Sequence, residues 1–156
     1  MILTTHALTG AVIGKNLDDP FLIIILSLII HYAMDRLRHG EYLDRKSTWK
    51  NTTWKVGLDI LVGWTIIGIF LLISYNSNNF NDFNVYNIFL GVFFSMLPDL
   101  LTLLYWKFNV KILKTIFDFH AKMHKYPPFS SERIWNLKNA RNDIIISILA
   151  IILLLI

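Results

Sequence analysis

Residues 22–40, LIIILSLIIHYAMDRLRHG, decide how the chain of 156 residues is interpreted. The stretch begins as an unbroken apolar run and then places His31, Asp35 and His39 at intervals of four residues. Positions four apart share one face of an α-helix, so the pattern predicts a helix over 20–38 with a polar stripe near its end. Imidazole and carboxylate are common ligands of transition metals, and ionisable groups at membrane depth usually serve a function.

The composition of the whole chain favours a membrane protein. Hydrophobic residues make up 54% of the chain and the mean hydropathy is +0.49. A soluble helical bundle is the alternative, but a domain of this size buries too little surface to hide so many apolar side chains. The chain has no cysteine, which excludes disulfides and thiolate metal sites.

Hydrophobic runs predict an all-α, polytopic membrane bundle that forms a single domain over residues 1–156. About five membrane helices are expected, the first of them short, at 1–14, 20–38, 54–74, 86–106 and from a start within 132–142 to 156. The first helix has small residues at helical spacing, which allow close helix packing, and Thr4 or Thr5 as its expected cap. An asparagine-rich loop is predicted at 76–85.

The segment 109–125 has a different pattern from the membrane helices. Its lysines fall on one helical face and its apolar residues cover much of the other. A basic amphipathic helix of this kind lies along a membrane surface, so we predict an interfacial helix here.

The distribution of positive charge predicts the orientation in the membrane. Fourteen of the fifteen Lys and Arg residues lie around the loop between the second and third helices or between the fourth and fifth. Positive loops stay in the cytoplasm, which predicts a cytoplasmic N-terminus and an external C-terminus. This distribution also explains the net charge of +4 without a nucleic-acid partner, and none is expected.

The same orientation brings all five histidines to one depth, close to intramembrane carboxylates. We therefore predict one metal site whose ligands or orienting groups are His6, His31, Asp35, His39, Asp99, His120 and His124. A purely structural polar cluster is the alternative. Asp59 has a weaker claim to the site, because it can pair with Lys55 one turn earlier.

At these residues the chain resembles a family of small bacterial membrane proteins with the motifs T-H-x-x-x-G, H-x-x-x-D-x-x-P-H, P-D and H-x-x-x-H. The matches here are Thr5-His6 with Gly10, the His31/Asp35/His39 trio, Pro98-Asp99 and the His120/His124 pair. Arg38 stands where the motif has proline. The family is similar in outline to LexA-regulated membrane-bound metal-dependent hydrolases, and more distantly to zinc-dependent phospholipase C-like proteins.

The resemblance implies a bacterial inner-membrane hydrolase of a phosphoester or lipid headgroup, with a divalent metal, zinc or else manganese. In this hypothesis Asp35 or Asp99 acts as a catalytic base, and Arg36 and Arg38 hold an anionic headgroup of a membrane lipid. The other hypothesis is a non-enzymatic membrane protein in which the His/Asp cluster, with or without metal, ties the surface helix to the bundle. A transporter is a third option, but it would need polar groups toward the outer leaflet, and the chain has few there.

Overall fold

The structure is a computed structural model that describes residues 1–43, 46–76, 82–128 and 130–156, with the backbone alone at 82–84. These residues form two short 3₁₀ turns (Lys111–Leu113 and Ser131–Arg133) and six α-helices: α1 (Leu3–Asn16), α2 (Pro20–Asp35), α3 (Trp49–Asn76), α4 (Asp82–Phe108), α5 (Lys114–Met123) and α6 (Leu137–Leu155). The predicted all-helical class is confirmed. Residues 77–81 of the asparagine-rich loop predicted at 76–85 lie outside the described residues, and the loop prediction was wrong for the rest, because Asn76 ends α3 and residues 82–85 belong to α4.

Helix α1 is the central helix of the bundle and contacts α2, α3, α4 and α6. Its small residues let α4 approach at van der Waals distance. A Cβ atom on Gly10 would overlap the carbonyl oxygen of Gly91, and one on Gly14 would overlap that of Asn87. The close packing expected from the small residues of α1 is therefore confirmed, with α4 as the partner helix.

Replacing Gly10 by alanine should destabilise the bundle. The new Cβ would lie 2.7 Å from the carbonyl carbon of Gly91, so α1 and α4 have to move apart. Overpacking of this kind costs about 1–3 kcal/mol. Thermal unfolding in detergent micelles should show a lower midpoint for Gly10→Ala than for the native protein.

Gly68→Ala in α3 is the matched control, because a Cβ atom at this position would have no neighbouring atom within 4 Å among the described residues. Alanine is the better helix former by about 1 kcal/mol, so this variant should be as stable as the native protein or more stable. Equal midpoints for the two variants would contradict the packing of α1 against α4.

Two helices are long and apolar enough to cross a membrane, namely α3 and residues Val85–Phe108 of α4. Only 17% of the apolar window of α3 and 28% of that of α4 are buried within the protein, so most of this surface faces outward. About five membrane helices were predicted, and a length and composition suited to a membrane span are shown for two of them. The other three predicted helices, α1, α2 and α6, are shorter. The 16 residues of α2 span about 24 Å, less than the roughly 30 Å of a bilayer core.

The first turn of α1 is held by α3. The carboxylate of Asp59 accepts hydrogen bonds from the backbone N–H groups of Leu3 (2.7 Å) and Thr4 (3.0 Å) and from the Thr4 hydroxyl (2.6 Å). The expectation that Thr4 or Thr5 caps this helix was wrong, because Ile2 is the N-cap residue and makes no side-chain bond. An acidic side chain on a neighbouring helix satisfies the free N–H groups instead.

Helix α2 ends at Asp35, three residues earlier than predicted, so His39 lies in the loop that follows. Side chains of α6 hold this loop. Gly40 N donates to Asp143 Oδ2 (3.1 Å), and Asn142 Nδ2 donates to Arg38 O (2.7 Å). These bonds replace the helical bonds that would have continued the turn, and they bring His39 back toward the end of α2.

Helix α4 continues through Pro98 and ends at Phe108. Asn109 then adopts a left-handed conformation (φ 54°), the conformation common just beyond a helix C-terminus. The chain turns there and places α5 against α2 and α4. The predicted amphipathic helix therefore exists, but its α-helical part is shorter than 109–125, and His124 is an extended residue just after it.

Candidate metal centre

The carboxylate of Asp35 is the centre of the cluster and is fully buried. Its Oδ2 atom lies 3.2 Å from His31 Nε2, 2.8 Å from His120 Nε2 and 3.5 Å from His124 Nε2. Its Oδ1 atom lies 3.2 Å from His6 Nε2. Residues far apart in sequence, from α1, α2 and the end of α5, thus converge on one acidic side chain.

Three of the histidines are oriented by bonds to their outer ring nitrogens. His31 Nδ1 donates to the Ser95 carbonyl (2.7 Å), and His39 Nδ1 donates to the Leu37 carbonyl (2.8 Å). The third bond joins His120 Nδ1 and the Thr102 hydroxyl (2.7 Å). A proton held at Nδ1 leaves the lone pair of Nε2 facing inward, as in histidines that bind metal ions.

Several buried atoms of the cluster have no hydrogen-bond partner within the described part of the chain. These are His31 Nε2, His39 Nε2 and Asp99 Oδ2. An unsatisfied buried polar group is costly, and natural proteins rarely keep one without a reason. A cation beside His31 and Asp99 and a second one beside His39 would satisfy these lone pairs, so the residues present fit metal binding.

The potential ligand atoms form two groups, each with its atoms within 4.8 Å of one another. One group is His31, Asp35, Asp99 and His120, and the other is Asp35, His39 and His124. Asp35 belongs to both, so it would be a shared ligand if each group held an ion. His6 lies beside the first group, with Nε2 3.7 Å from Asp99 Oδ2. The structure thus brings all seven predicted residues together, and which of them are ligands stays a prediction.

Burial sets the charge of the histidines outside the membrane helices. It lowers the pKa of His39 to about 4 and that of His124 to about 3, so both are neutral at pH 7. Burial also disfavours charge on His120, but the hydrogen bond to Asp35 and the charge of Asp99 outweigh it and raise the pKa of this group. Neutral imidazoles keep the lone pair that a metal ion needs, and an ion at His120 would displace its proton.

A positive group that is not a histidine also contacts Asp35. The amino group of Met1 lies 2.5 Å from Asp35 Oδ1, and both groups are buried. This contact neutralises part of the carboxylate charge without a metal ion. It is the observation that keeps a purely structural cluster as an alternative to a metal centre.

A cleft of about 600 Å³ leads from the surface of the protein to the His/Asp cluster. Asp99, His120, His124 and Arg133 line its polar end, and the rest of its wall is mostly apolar. The side chain of Asp99 is 23% exposed, whereas that of Asp35 is fully buried. Of the two predicted catalytic acids, Asp99 is therefore the one that a molecule in the cleft can touch.

The basic residues at the cleft differ from those expected. Arg38 Nε donates to Asn139 Oδ1 (2.7 Å), and Arg36 is exposed at the end of α2. The described lining of the cleft includes neither of them, but it includes Arg133. Burial lowers the pKa of Arg133 to about 10, and its guanidinium pairs with Glu41. Substrate binding by Arg36 and Arg38 stays a prediction.

Two supporting residues on α4 were missed in the sequence, and a signal was present for one of them. Thr102 follows Asp99 by three positions, which places both polar side chains on one face of an otherwise apolar helix. Ser95 acts through its backbone carbonyl, so no side-chain pattern could have indicated it. Arg133 had no comparable signal, because it lies in a polar connection without periodicity.

The fold and the site define an all-helical protein with two candidate membrane helices and a His/Asp cluster that could hold a metal ion. Comparisons with protein-family models, curated proteins and solved structures found no match to this chain. The resemblance to the metal-dependent hydrolases therefore stays a prediction, and function has to be argued from the geometry of these residues.

Proposed function

We propose that the protein is a metal-dependent hydrolase that cleaves a phosphoester or lipid headgroup at the cytoplasmic leaflet of the membrane. One observation carries the proposal. Two histidines held at Nδ1, His31 and His120, direct Nε2 toward the same buried carboxylate, at the closed end of a cleft that is open to the surface of the protein. A closed ligand set suits a structural ion, whereas a ligand set next to a substrate-sized cleft suits catalysis.

The two acids have different roles in this proposal. Asp35 is buried among the histidines and serves as a shared metal ligand. Asp99 faces the cleft and serves as the general base that removes a proton from the attacking water. The water oxygen forms a bond to phosphorus, the ester P–O bond breaks, and the leaving alkoxide takes up the proton that Asp99 removed from the water.

A divalent ion, zinc or else manganese, would lower the pKa of the attacking water and neutralise charge on the phosphoryl oxygens. The protein's own groups fix the reaction geometry. Thr102 and the Ser95 carbonyl hold His120 and His31, and the apolar wall of the cleft keeps bulk water from the reacting ester.

The proposed setting is the bacterial inner membrane, with the N-terminus in the cytoplasm and the C-terminus outside. In this arrangement α1, α2 and α6 complete the five membrane helices, tilted or buried among their neighbours. The charge distribution of the chain supports this orientation. It also places the basic helix α5 at the anionic inner leaflet.

The second candidate is a structural role for the cluster, favoured by the contact between Met1 and Asp35. In that case His120 and His124 would anchor α5 to the bundle through Asp35, and no substrate would be turned over. The two candidates differ in their dependence on metal, which makes them separable by experiment.

Chelation should abolish hydrolysis of a glycerophospholipid or of bis(4-nitrophenyl) phosphate by the purified protein. Removing the ion takes away the group that would lower the pKa of the attacking water, so turnover should fall to background. Adding back zinc or manganese should restore it. Release of phosphate ester products, followed by chromatography or absorbance, measures the effect.

A helical, metal-loaded protein that turns over none of a broad panel of phosphoesters would overturn the enzymatic proposal and favour the structural role. The far-ultraviolet circular dichroism of the chelated sample is the control, because lost turnover with lost helix would only report unfolding.

A further inference from the structure

The cleft that ends at the metal centre runs between the two candidate membrane helices. Val56, Ile60 and Trp64 of α3 form one wall. The other wall is a face of α4 that includes Phe89, Val92, Phe93, Met96 and Leu100. Its volume of about 600 Å³ is within the range of small-molecule binding sites.

The mouth of the cleft opens on the outward surface of these two helices. Trp64 and Phe89 are 39% and 41% exposed, and Phe93 and Leu100 are 53% and 45% exposed, although all four line the cleft. This outward surface is also the one by which α3 and α4 would meet the bilayer. A groove with such walls in that position takes up hydrocarbon more readily than water.

The polar end of the cleft offers a positive group in addition to the metal centre. Arg133 is 6% exposed, and its Nε atom has no hydrogen-bond partner among the residues that the structure describes. Charge-assisted bonds from arginine to phosphate oxygens are strong and geometrically specific. Asp99 follows Phe89 by ten positions on α4, so the apolar length that leads to this end is about 15 Å.

We infer that the substrate is a membrane amphiphile that places one acyl chain in the cleft between α3 and α4 and its anionic phosphoester head at Arg133 and the metal centre. The inference rests on the proposed hydrolase and adds the class of substrate. A lipid reaches this position by moving sideways from the bilayer, without leaving the hydrocarbon phase.

Photolabelling tests the inference without depending on turnover. The purified protein is placed in vesicles that contain a glycerophospholipid with a diazirine midway along one acyl chain, and it is then irradiated. Mass spectrometry should find more adducts on Val56, Ile60 and Phe93 than the exposed fractions of these side chains would give by contact with the bilayer alone. Outward positions such as Leu61 and Leu72, which are 62% and 65% exposed, report labelling by the surrounding bilayer.

Ile60→Trp fills the cleft and should reduce labelling of Phe93 about tenfold, which corresponds to disfavouring the bound chain by about 1.4 kcal/mol. Leu61→Trp makes a similar change one position along, outside the described lining of the cleft. In this variant the labelling of Phe93 should equal that in the native protein. The pattern in the native protein is informative by itself if either variant fails to fold.

Labelling of the cleft residues that follows surface exposure alone would overturn the inference. A failure of the proposed hydrolase is detected separately, as absent turnover of a broad panel of phosphoesters, glycerophospholipids included, by metal-loaded protein.

Discussion

Asp35→Asn is expected to purify almost free of metal. Asp35 is the one residue that both candidate ligand groups share, and its two oxygens contact four histidines. Asparagine keeps the shape of the side chain but removes its negative charge. The loss of metal affinity should exceed the roughly 10–100-fold reduction that follows when a residue that only orients a metal-binding side chain is removed. Elemental analysis of protein purified in parallel gives the metal content per chain.

Asp118→Asn is the matched control, because it makes the same chemical change in an exposed pair with Lys114 on α5. Its metal content should equal that of the native protein. His31→Ala and His120→Ala should lose metal like Asp35→Asn, since they remove ligands from α2 and from α5. If Asp35→Asn held as much metal as the native protein, the metal centre would be refuted. The amino group of Met1 would then be the charge partner of Asp35 in the native protein.

The convergence of the seven site residues could be predicted because it depends on two robust signals. Charged loops fix which helix ends lie together, and spacings of four residues fix which side chains share a face. His31 and Asp35 are an example, since both lie on the buried face of α2 as their spacing predicted. Gly10 and Gly14 are another, since a contact between backbones requires the absence of side chains.

The helix ends could not be predicted because they depend on contacts with distant segments. Asp143 and Asn142 of α6 stop α2 and redirect the chain at Gly40, about a hundred residues away in sequence. Asp59 could pair with Lys55 by spacing alone, but it bonds to the start of α1, and Lys55 bonds to the Tyr42 carbonyl (2.9 Å). Local spacing gives the possible partners of a charge, and only packing chooses between them.

The cleft was missed for a related reason. Hydrophobic runs predict that α3 and α4 are membrane helices, but they do not show that the two helices stand apart over part of their length. Ile60 and Leu61 are equally apolar in the sequence, yet one lines the cleft and the other faces outward. The bond from Arg133 to Glu41 links the connection between α5 and α6 to the loop after α2. A second bond, to the Tyr126 carbonyl (3.2 Å), lies within the same connection, and both hold Arg133 at the cleft.

Thr102→Val is expected to weaken metal binding about 10–100-fold while leaving the site able to fill at high metal concentration. Valine has nearly the shape of threonine but has no hydroxyl, so His120 Nδ1 loses its partner at 2.7 Å. The imidazole is then free to rotate or to change tautomer, and Nε2 no longer points to Asp35 in every molecule. Competition against a chromophoric chelator measures the dissociation constant, and equilibrium dialysis measures the stoichiometry.

Thr115→Val is the matched control, because Thr115 is exposed on α5 and makes no described contact with the cluster. Its dissociation constant should equal that of the native protein. Native affinity in Thr102→Val would mean that packing alone orients His120. Complete loss of metal at saturation would mean that the hydroxyl itself is a ligand. The intermediate result is specific to an orienting role, because only that role changes the affinity while keeping the number of ions bound.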